Sequence, residues 1–184
     1  MATKMTSQQQ GPITDEYHAD PEKVCERLNQ LRSTELVSYL QYKQHAYMAV
    51  SLMGPGVADE FIEHSNEELE HADKLAKRIQ ALGGVPIFDP QEIARQITGL
   101  HVTPAQGATL EDMVREDLEL ERTQVKAYTS FIREIGEKDI VTRRLLEDIL
   151  EATEDHAAEM YDLLQQRADT REQPARSSSA RMNA

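Results

Sequence analysis

The 184-residue chain has no tryptophan, three phenylalanines and one cysteine. With aromatics so scarce and Leu, Ala, Glu, Gln and Arg abundant, the composition is that of a helical protein, not a sheet protein. The lone cysteine, Cys25, excludes an intrachain disulfide framework and makes a reducing interior, the cytoplasm, the expected compartment. No apolar run approaches the roughly 20 residues of a membrane span, and the polar first residues hold no signal-peptide core, so no membrane partner is expected. Basic residues are also in short supply: 20 Lys and Arg against 33 Asp and Glu leave a net charge of -13. That balance argues against a nucleic-acid surface over the body of the protein and suits one that attracts cations. The length fits one domain of ordinary size.

What is present is helical punctuation. Residues 1–19 are polar and read as a flexible arm, and residues 20–168 as one bundle. Asp20-Pro21 is a helix start, with Asp as N-cap and Pro in the first turn. From there Val24, Leu28, Leu31, Glu35, Ser38, Tyr42, His45 and Ala49 keep a 3-4 spacing until Gly54-Pro55-Gly56 breaks it. A second helix is expected from about Val57 to Leu82, ended by Gly83-Gly84 and Pro86. The short break predicts that these two pack antiparallel. A long connection, Val85 to Ala108, carries its own start signal, Asp89-Pro90, and reads as a crossover holding a short helix. Thr109 to Asp112 forms a capping box for a third long helix with the stripe Val114, Leu118, Glu121, Val125, Tyr128 and Ile132, stopping near Gly136. The fourth runs from about Asp139 to Ala168, with Leu146, Ile149, Thr153, His156, Met160 and Leu163 facing inward. Residues 169–184 read as a disordered tail. Two hairpins joined by one long crossover make a four-helix bundle.

Each stripe is interrupted by polar residues near its middle. Glu68 and His71 lie three residues apart, about 60° around a helix, on a face that otherwise carries Phe61, Leu75 and Leu82. A carboxylate and an imidazole turned into a core need a partner, and a metal ion suits them. Glu35, Glu121 and His156 stand at matching heights on the other helices. Di-iron carboxylate bundles use one Glu from each of two helices and Glu-x-x-His from each of the other two. The fourth helix departs from that pattern, with Thr153 three residues before His156; the nearby acids are Glu151, Glu154 and Asp155, of which Glu154 is rotated about 100° off the stripe. Thr153 reads as a small core residue bonding back to its own helix. Hard carboxylates and borderline imidazoles without thiolates fit iron, and Tyr42 is placed to supply an electron. Losing one carboxylate predicts a weaker or asymmetric second metal position. His45 reads as a packed histidine and Cys25 as inert.

These residues resemble the ferritin superfamily, above all its bacterioferritin branch. The resemblance rests on Glu35-Leu36-Val37 with Tyr42 and His45, on Glu68 through Leu75, on Arg78-Ile79 through Pro86, and on Asp117 through Glu121. It covers residues 22 to 166 and implies a ferritin-like all-α bundle. In bacterioferritins a methionine after the second-helix glutamate binds haem; Leu69 stands there, so no haem is expected. No helix is expected after the fourth, and the crossover is similar to that of Dps-like mini-ferritins. The resemblance therefore implies a Dps-like cage of about 12 subunits, or alternatively about 24, around a bacterioferritin-type di-iron centre. Its implied function is ferroxidase activity and iron storage, with Fe2+ oxidised by peroxide or dioxygen and Glu35, Glu68, His71, Glu121 and His156 as ligands. The alternative is a structural cage that protects DNA or sequesters metal with a degraded oxidase site. Glu63, His64 and Glu67 resemble the place where bacterioferritins hold a further iron, against a plain reading as a solvated charged face. DNA binding through the tail (Arg171, Arg176, Arg181) is weakly supported. A rubrerythrin-like peroxidase is disfavoured, because the cysteine-rich segment of that group has no counterpart here.

Overall fold

The computed structural model describes residues 13–53, 55–98 and 109–172. Five helices follow in order: α1 (Pro21–Met53), α2 (Pro55–Ala81), α3 (Pro90–Thr98), α4 (Leu110–Ile135) and α5 (Ile140–Glu172). Their starts are capped as the sequence predicts. Asp20 Oδ1 accepts from the Glu22 amide at 3.1 Å, and Asp89 Oδ1 from the Gln91 amide at 2.8 Å. Thr109 and Asp112 bond reciprocally in a capping box, and Asp139 Oδ1 accepts from the Thr142 amide at 2.9 Å. Gly83, at φ 80°, ends α2, and the Gly84 amide turns back to the Ile79 carbonyl at 2.9 Å. A Cβ on Gly84 would stand 2.6 Å from Cys25 Sγ, so glycine is required there by close approach to α1.

α1 packs along α2 and α4 along α5, while α1 also meets α4 and α2 meets α5. Each neighbouring pair is antiparallel. Going up α1 from Cys25 to Glu35 to Lys43, the partners on α2 descend from Ile79 to His71 to Ser65. Tyr128, Gln124 and Asp117 of α4 meet Glu35, Ser38 and Gln41 of α1 in the same opposed sense. The chain from α2 to α4 must therefore span the bundle lengthwise. α3 lies on this path, and its Ile97 packs with Val37 of α1 and Leu120 of α4. At its start, Asn29 bonds the Val85 carbonyl and the Ile87 amide, while buried Arg32 bonds the Ile87 carbonyl.

The core is divided in two. One apolar cluster gathers Leu28, Leu31, Leu75, Ile79, Phe131 and Ile149 with their neighbours; another gathers Ala46, Ala49, Phe61, Met113, Val114 and Met160. Between them lies a layer holding Glu35, Glu68, Glu121, Thr153 and His156, all buried. At roughly 1.5–3 kcal/mol per fully buried aliphatic side chain, the two flanking clusters supply the stability against which that layer is held.

Three boundaries differ from the sequence reading. Ile13 to Ala19, assigned to the arm, instead lie on the bundle: Ile13, Tyr17 and Ala19 pack against the first cluster and Tyr17 donates to Asp139 Oδ2 at 2.9 Å. Those apolar contacts and a buried acceptor offset the cost of ordering the segment. α2 begins at Pro55, and α5 continues to Glu172, past Ala168. The stripe of α4 also shifts after Glu121: Gln124, Phe131 and Ile135 are buried, whereas Val125 and Ile132 are only half-buried. The rest of the expected arm (1–12), the crossover 99–108 and the tail beyond 172 fall outside the described residues, as do Arg176 and Arg181. Among the described residues no helix is long and apolar enough to cross a membrane.

Candidate metal centre

The polar layer brings all five sequence-selected ligand candidates together. Glu35, Glu68 and His71 offer ligand atoms within 4.8 Å of one another, and so do Glu68, Glu121 and His156. Glu68 belongs to both groups, which makes the arrangement two adjacent triads sharing one carboxylate. The three glutamates are fully buried, and both histidines are nearly so.

Each outer glutamate has one oxygen held and the other free. Glu35 Oε1 accepts from Tyr128 at 2.6 Å and from Gln124 at 2.9 Å, while its Oε2 faces His71 Nδ1 at 3.3 Å without a hydrogen bond. Glu121 Oε1 accepts from Tyr42 at 2.8 Å, and its Oε2 has no partner. The Tyr42 and Tyr128 hydroxyls stay protonated, because burial and the field of the neighbouring glutamates push their pKa values well above the ordinary one. Buried orphan atoms on Glu35, Glu121 and His71 are costly unless a cation takes their lone pairs. A divalent ion in each triad would satisfy them, and the oxygen and imidazole donors suit iron.

Three carboxylates in one dry layer cannot all ionise without such a cation. Burial, then the charges of Glu35 and Glu121, push the Glu68 pKa well up. Burial opposes ionisation of Glu35 too, yet the neighbouring His71, with a hydrogen bond from Tyr128, holds its carboxyl below the usual range. Burial likewise disfavours a charged His156, but hydrogen bonds and the field of Glu121 and Glu68 raise its pKa to about 11. The His156 ring is doubly engaged. Nδ1 lies 3.1 Å from Glu68 and 3.5 Å from Glu121, while Nε2 bonds Glu67 at 2.6 Å. Nε2 thus faces Glu67 and Nδ1 faces the two inner carboxylates, which makes Nδ1 the nitrogen that could serve as a ligand.

Thr153, where a sixth ligand was missed in the sequence, is fully buried and donates back to the Ile149 carbonyl at 2.9 Å. Glu151, Glu154 and Asp155 are exposed. His45 is packed as expected, with Nδ1 2.9 Å from both Asp117 oxygens. Cys25 is buried, and its thiol pKa is pushed up mainly by that burial. Of Glu63, His64 and Glu67, only Glu63 sits on a fully exposed face; His64 is 3% exposed, stacks on His156 at 4.2 Å and has its pKa lowered to about 4, first by burial and then by His156. Sequence reasoning missed Gln124, Glu67 as the partner of His156, and Tyr128 as a partner of Glu35. The signal for Gln124 and Tyr128 was their spacing of three and seven residues after Glu121.

Carboxylates and imidazoles drawn from all four long helices of an antiparallel bundle converge on one buried layer, an arrangement that could hold metal ions. The chain belongs to the ferritin-like family, whose model, the ferritin-like domain, matches residues 25–168. A bacterioferritin of Desulfovibrio desulfuricans is 31% identical over 135 residues, covering 73% of this chain and 70% of that protein. A bacterial ferritin of Pseudomonas aeruginosa is 31% identical over 137 residues, 73% and 82% of the two chains. A nutrient stress-induced DNA-binding protein of Synechococcus is 28% identical over 138 residues, 73% and 77%. The relatives thus include both ferritins and a protein named for DNA binding.

Proposed function

We propose that this chain oxidises ferrous iron at the buried layer and stores the ferric product inside a hollow homo-oligomer. The observation that carries this reading is the pair of triads sharing Glu68. Iron is the substrate. Glu35 and His71 hold one ion, Glu121 and His156 the other, and Glu68 spans both. Two ferrous ions give one electron each; peroxide accepts both, its O–O bond breaks, and two protons complete two waters. With dioxygen the same two electrons and two protons yield hydrogen peroxide. When one ion is present, Tyr42 supplies the second electron and its phenolic proton passes to Glu121, 2.8 Å away. His156 gives up its Nδ1 proton as an ion binds, while Glu67 retains the Nε2 proton.

The acidic chain, with net charge -13, draws cations toward such a store. A particle of about 12 copies is the expected assembly, with about 24 the alternative, and light scattering distinguishes them. Stopped-flow absorbance after anaerobic Fe2+ loading and peroxide addition tests the activity. Formation of ferric absorbance in the wild type but not in Glu68→Ala supports the reading; oxidation no faster than in buffer overturns it.

Thr153 favours a second reading, in which the site binds metal without turnover and the assembly sequesters metal or shields DNA. Zn2+ bound at both triads together with no acceleration of Fe2+ oxidation would select it.

A further inference from the structure

One turn beyond the Tyr42–Glu121 bond, the same two helices carry a second polar pair. His45 stands three residues after Tyr42 on α1 and Asp117 four residues before Glu121 on α4, and both are fully buried. His45 Nδ1 lies 2.9 Å from both Asp117 oxygens, and the Gln41 side-chain amide donates to Asp117 Oδ1 at 2.8 Å. A carboxylate only accepts, so Nδ1 carries the proton and the neutral ring presents its lone pair at Nε2. That nitrogen faces Glu116 Oε2 at 3.6 Å, and neither atom has a hydrogen-bond partner among the described residues. Two buried acceptors thus confront each other, and one proton shared between them would satisfy both. The Glu116 side chain is 33% exposed and joins the pair to solvent. Of the elements around His45, α4 presents Asp117 and Glu116, while α2 presents the uncharged ring of Phe61 at 6.0 Å.

We propose that Asp117, clamped by His45 and Gln41, is the counter-charge that favours oxidation of Tyr42, and that a proton entering between His45 Nε2 and Glu116 Oε2 switches it off. The use of Tyr42 as an electron donor rests on the function proposed above; the charge arrangement does not. When Tyr42 loses an electron and passes its phenolic proton to Glu121, the pair becomes more positive by one unit. A fixed negative charge one helical turn away favours that change. At about 6 Å and an effective dielectric of about 20, the effect is about a hundredfold. The field of Asp117 already reaches Tyr42: after burial and Glu121, it is the next cause that keeps the phenol protonated. Burial raises the Asp117 pKa above the ordinary 3.8, and the bonds from His45 and Gln41 offset part of that rise. Proton uptake at His45 would make the His45–Asp117 pair neutral and cancel the counter-charge. Asp117 acts through Tyr42 and is a positioning residue.

Flash oxidation of the metal-free full chain by photo-excited ruthenium tris-bipyridine and persulfate, followed by electron paramagnetic resonance, tests the device without iron. The tyrosyl signal lost in Tyr42→Phe is that of Tyr42. At about pH 8, Asp117→Asn should form it about a hundredfold more slowly than wild type. The wild-type rate should fall by a similar factor between about pH 8 and pH 5, the range in which histidines take up protons. Glu116→Gln, whose amide can donate to Nε2 without adding charge, should hold the fast rate throughout. His45→Gln, which keeps an N–H on Asp117, should do the same. Asp117→Asn as fast as wild type overturns the counter-charge. A Glu116→Gln profile that falls as the wild type does overturns the proton switch. Glu116 reaches solvent, so this arm reads the device even if Asp117→Asn does not fold. No Tyr42-dependent signal in the wild type overturns both. The expected profiles together with no radical when Fe2+ meets peroxide would uphold this inference and overturn the role given to Tyr42 in iron oxidation.

Discussion

The Tyr128 hydroxyl donates to Glu35 Oε1 at 2.6 Å, and that bond turns the other carboxylate oxygen toward His71. The relation is reciprocal across the bundle. Tyr42 lies seven residues after Glu35 and holds Glu121; Tyr128 lies seven residues after Glu121 and holds Glu35. Two antiparallel helices with the same Glu-to-Tyr spacing place each phenol on the other's glutamate.

The two tyrosines should nonetheless behave differently on substitution. Tyr42→Phe should abolish the tyrosyl radical signal in electron paramagnetic resonance when less than one Fe2+ per subunit meets peroxide. Tyr128→Phe should keep that signal but weaken Zn2+ binding at the Glu35 triad about fivefold, the value of one hydrogen bond of about 1 kcal/mol. Loss of the radical in both variants would show that the tyrosines act together and not as separate electron donor and positioning group.

Glu68 is expected to cost stability when no metal is bound. Its carboxyl lies between Glu35 and Glu121 and is held largely protonated by burial and by their charge. Gln has the shape of that protonated form. Metal-free Glu68→Gln should therefore melt at or above the wild-type temperature, while losing the stabilisation by Zn2+, about 3 kcal/mol at a concentration about a hundredfold above the dissociation constant. Calorimetry with and without Zn2+ reads both. A metal-free variant weaker by more than about 2 kcal/mol would mean that the carboxylate serves the fold and not an ion.

Helix order, capping and the convergence of Glu35, Glu68, His71, Glu121 and His156 on one layer were legible because each rests on a local signal. Asp20-Pro21, Asp89-Pro90 and the Thr109–Asp112 box act within a single turn, and Glu68 with His71 share one face. What was not legible depended on rotation or on distant partners. A strict 3-4 stripe through Val125 and Ile132 runs one position off the true buried face, which passes through Gln124 and Phe131. That small error concealed Gln124, whose amide bonds both Glu35 and Glu68. The burial of His64 depends on α5 lying beside it, which α2's own sequence does not encode. Tyr17 was assigned to an arm because its anchor, Asp139, lies 122 residues away.

That anchor gives a pH dependence. Asp139 is buried and accepts from Thr142, Arg78 and Tyr17; burial alone would raise its pKa, but these bonds together hold it below the ordinary value of 3.8. A depressed carboxyl contributes stability above its unfolded pKa, and the contribution is lost as pH falls through the folded one. Asp139→Asn should lower stability at neutral pH by about 1–3 kcal/mol. The difference from wild type should shrink below about pH 3.8, where the wild-type carboxyl also takes up its proton. Urea melts at pH 7 and pH 3 read the two gaps; equal gaps would assign the loss to packing and not to charge.

Thr153 is the point at which binding and turnover part. It stands three residues before His156 on the same face of α5, and its side chain is turned back to the Ile149 carbonyl. Thr153→Glu would place a fourth carboxylate in the layer beside Glu68 and Glu121. Without metal it adds bulk and charge to a packed site, and stability should fall by about 1–3 kcal/mol. With metal it adds a ligand to the Glu121–His156 ion, so Zn2+ should raise the melting temperature more than it does for wild type. If the missing carboxylate limits turnover, Fe2+ oxidation by peroxide should quicken about tenfold, equivalent to about 1.4 kcal/mol of barrier. Thr153→Gln supplies the same bulk without the charge and should gain neither effect. A Thr153→Glu variant that binds Zn2+ more tightly yet oxidises Fe2+ no faster would show that the open side of the second triad is not what sets the rate.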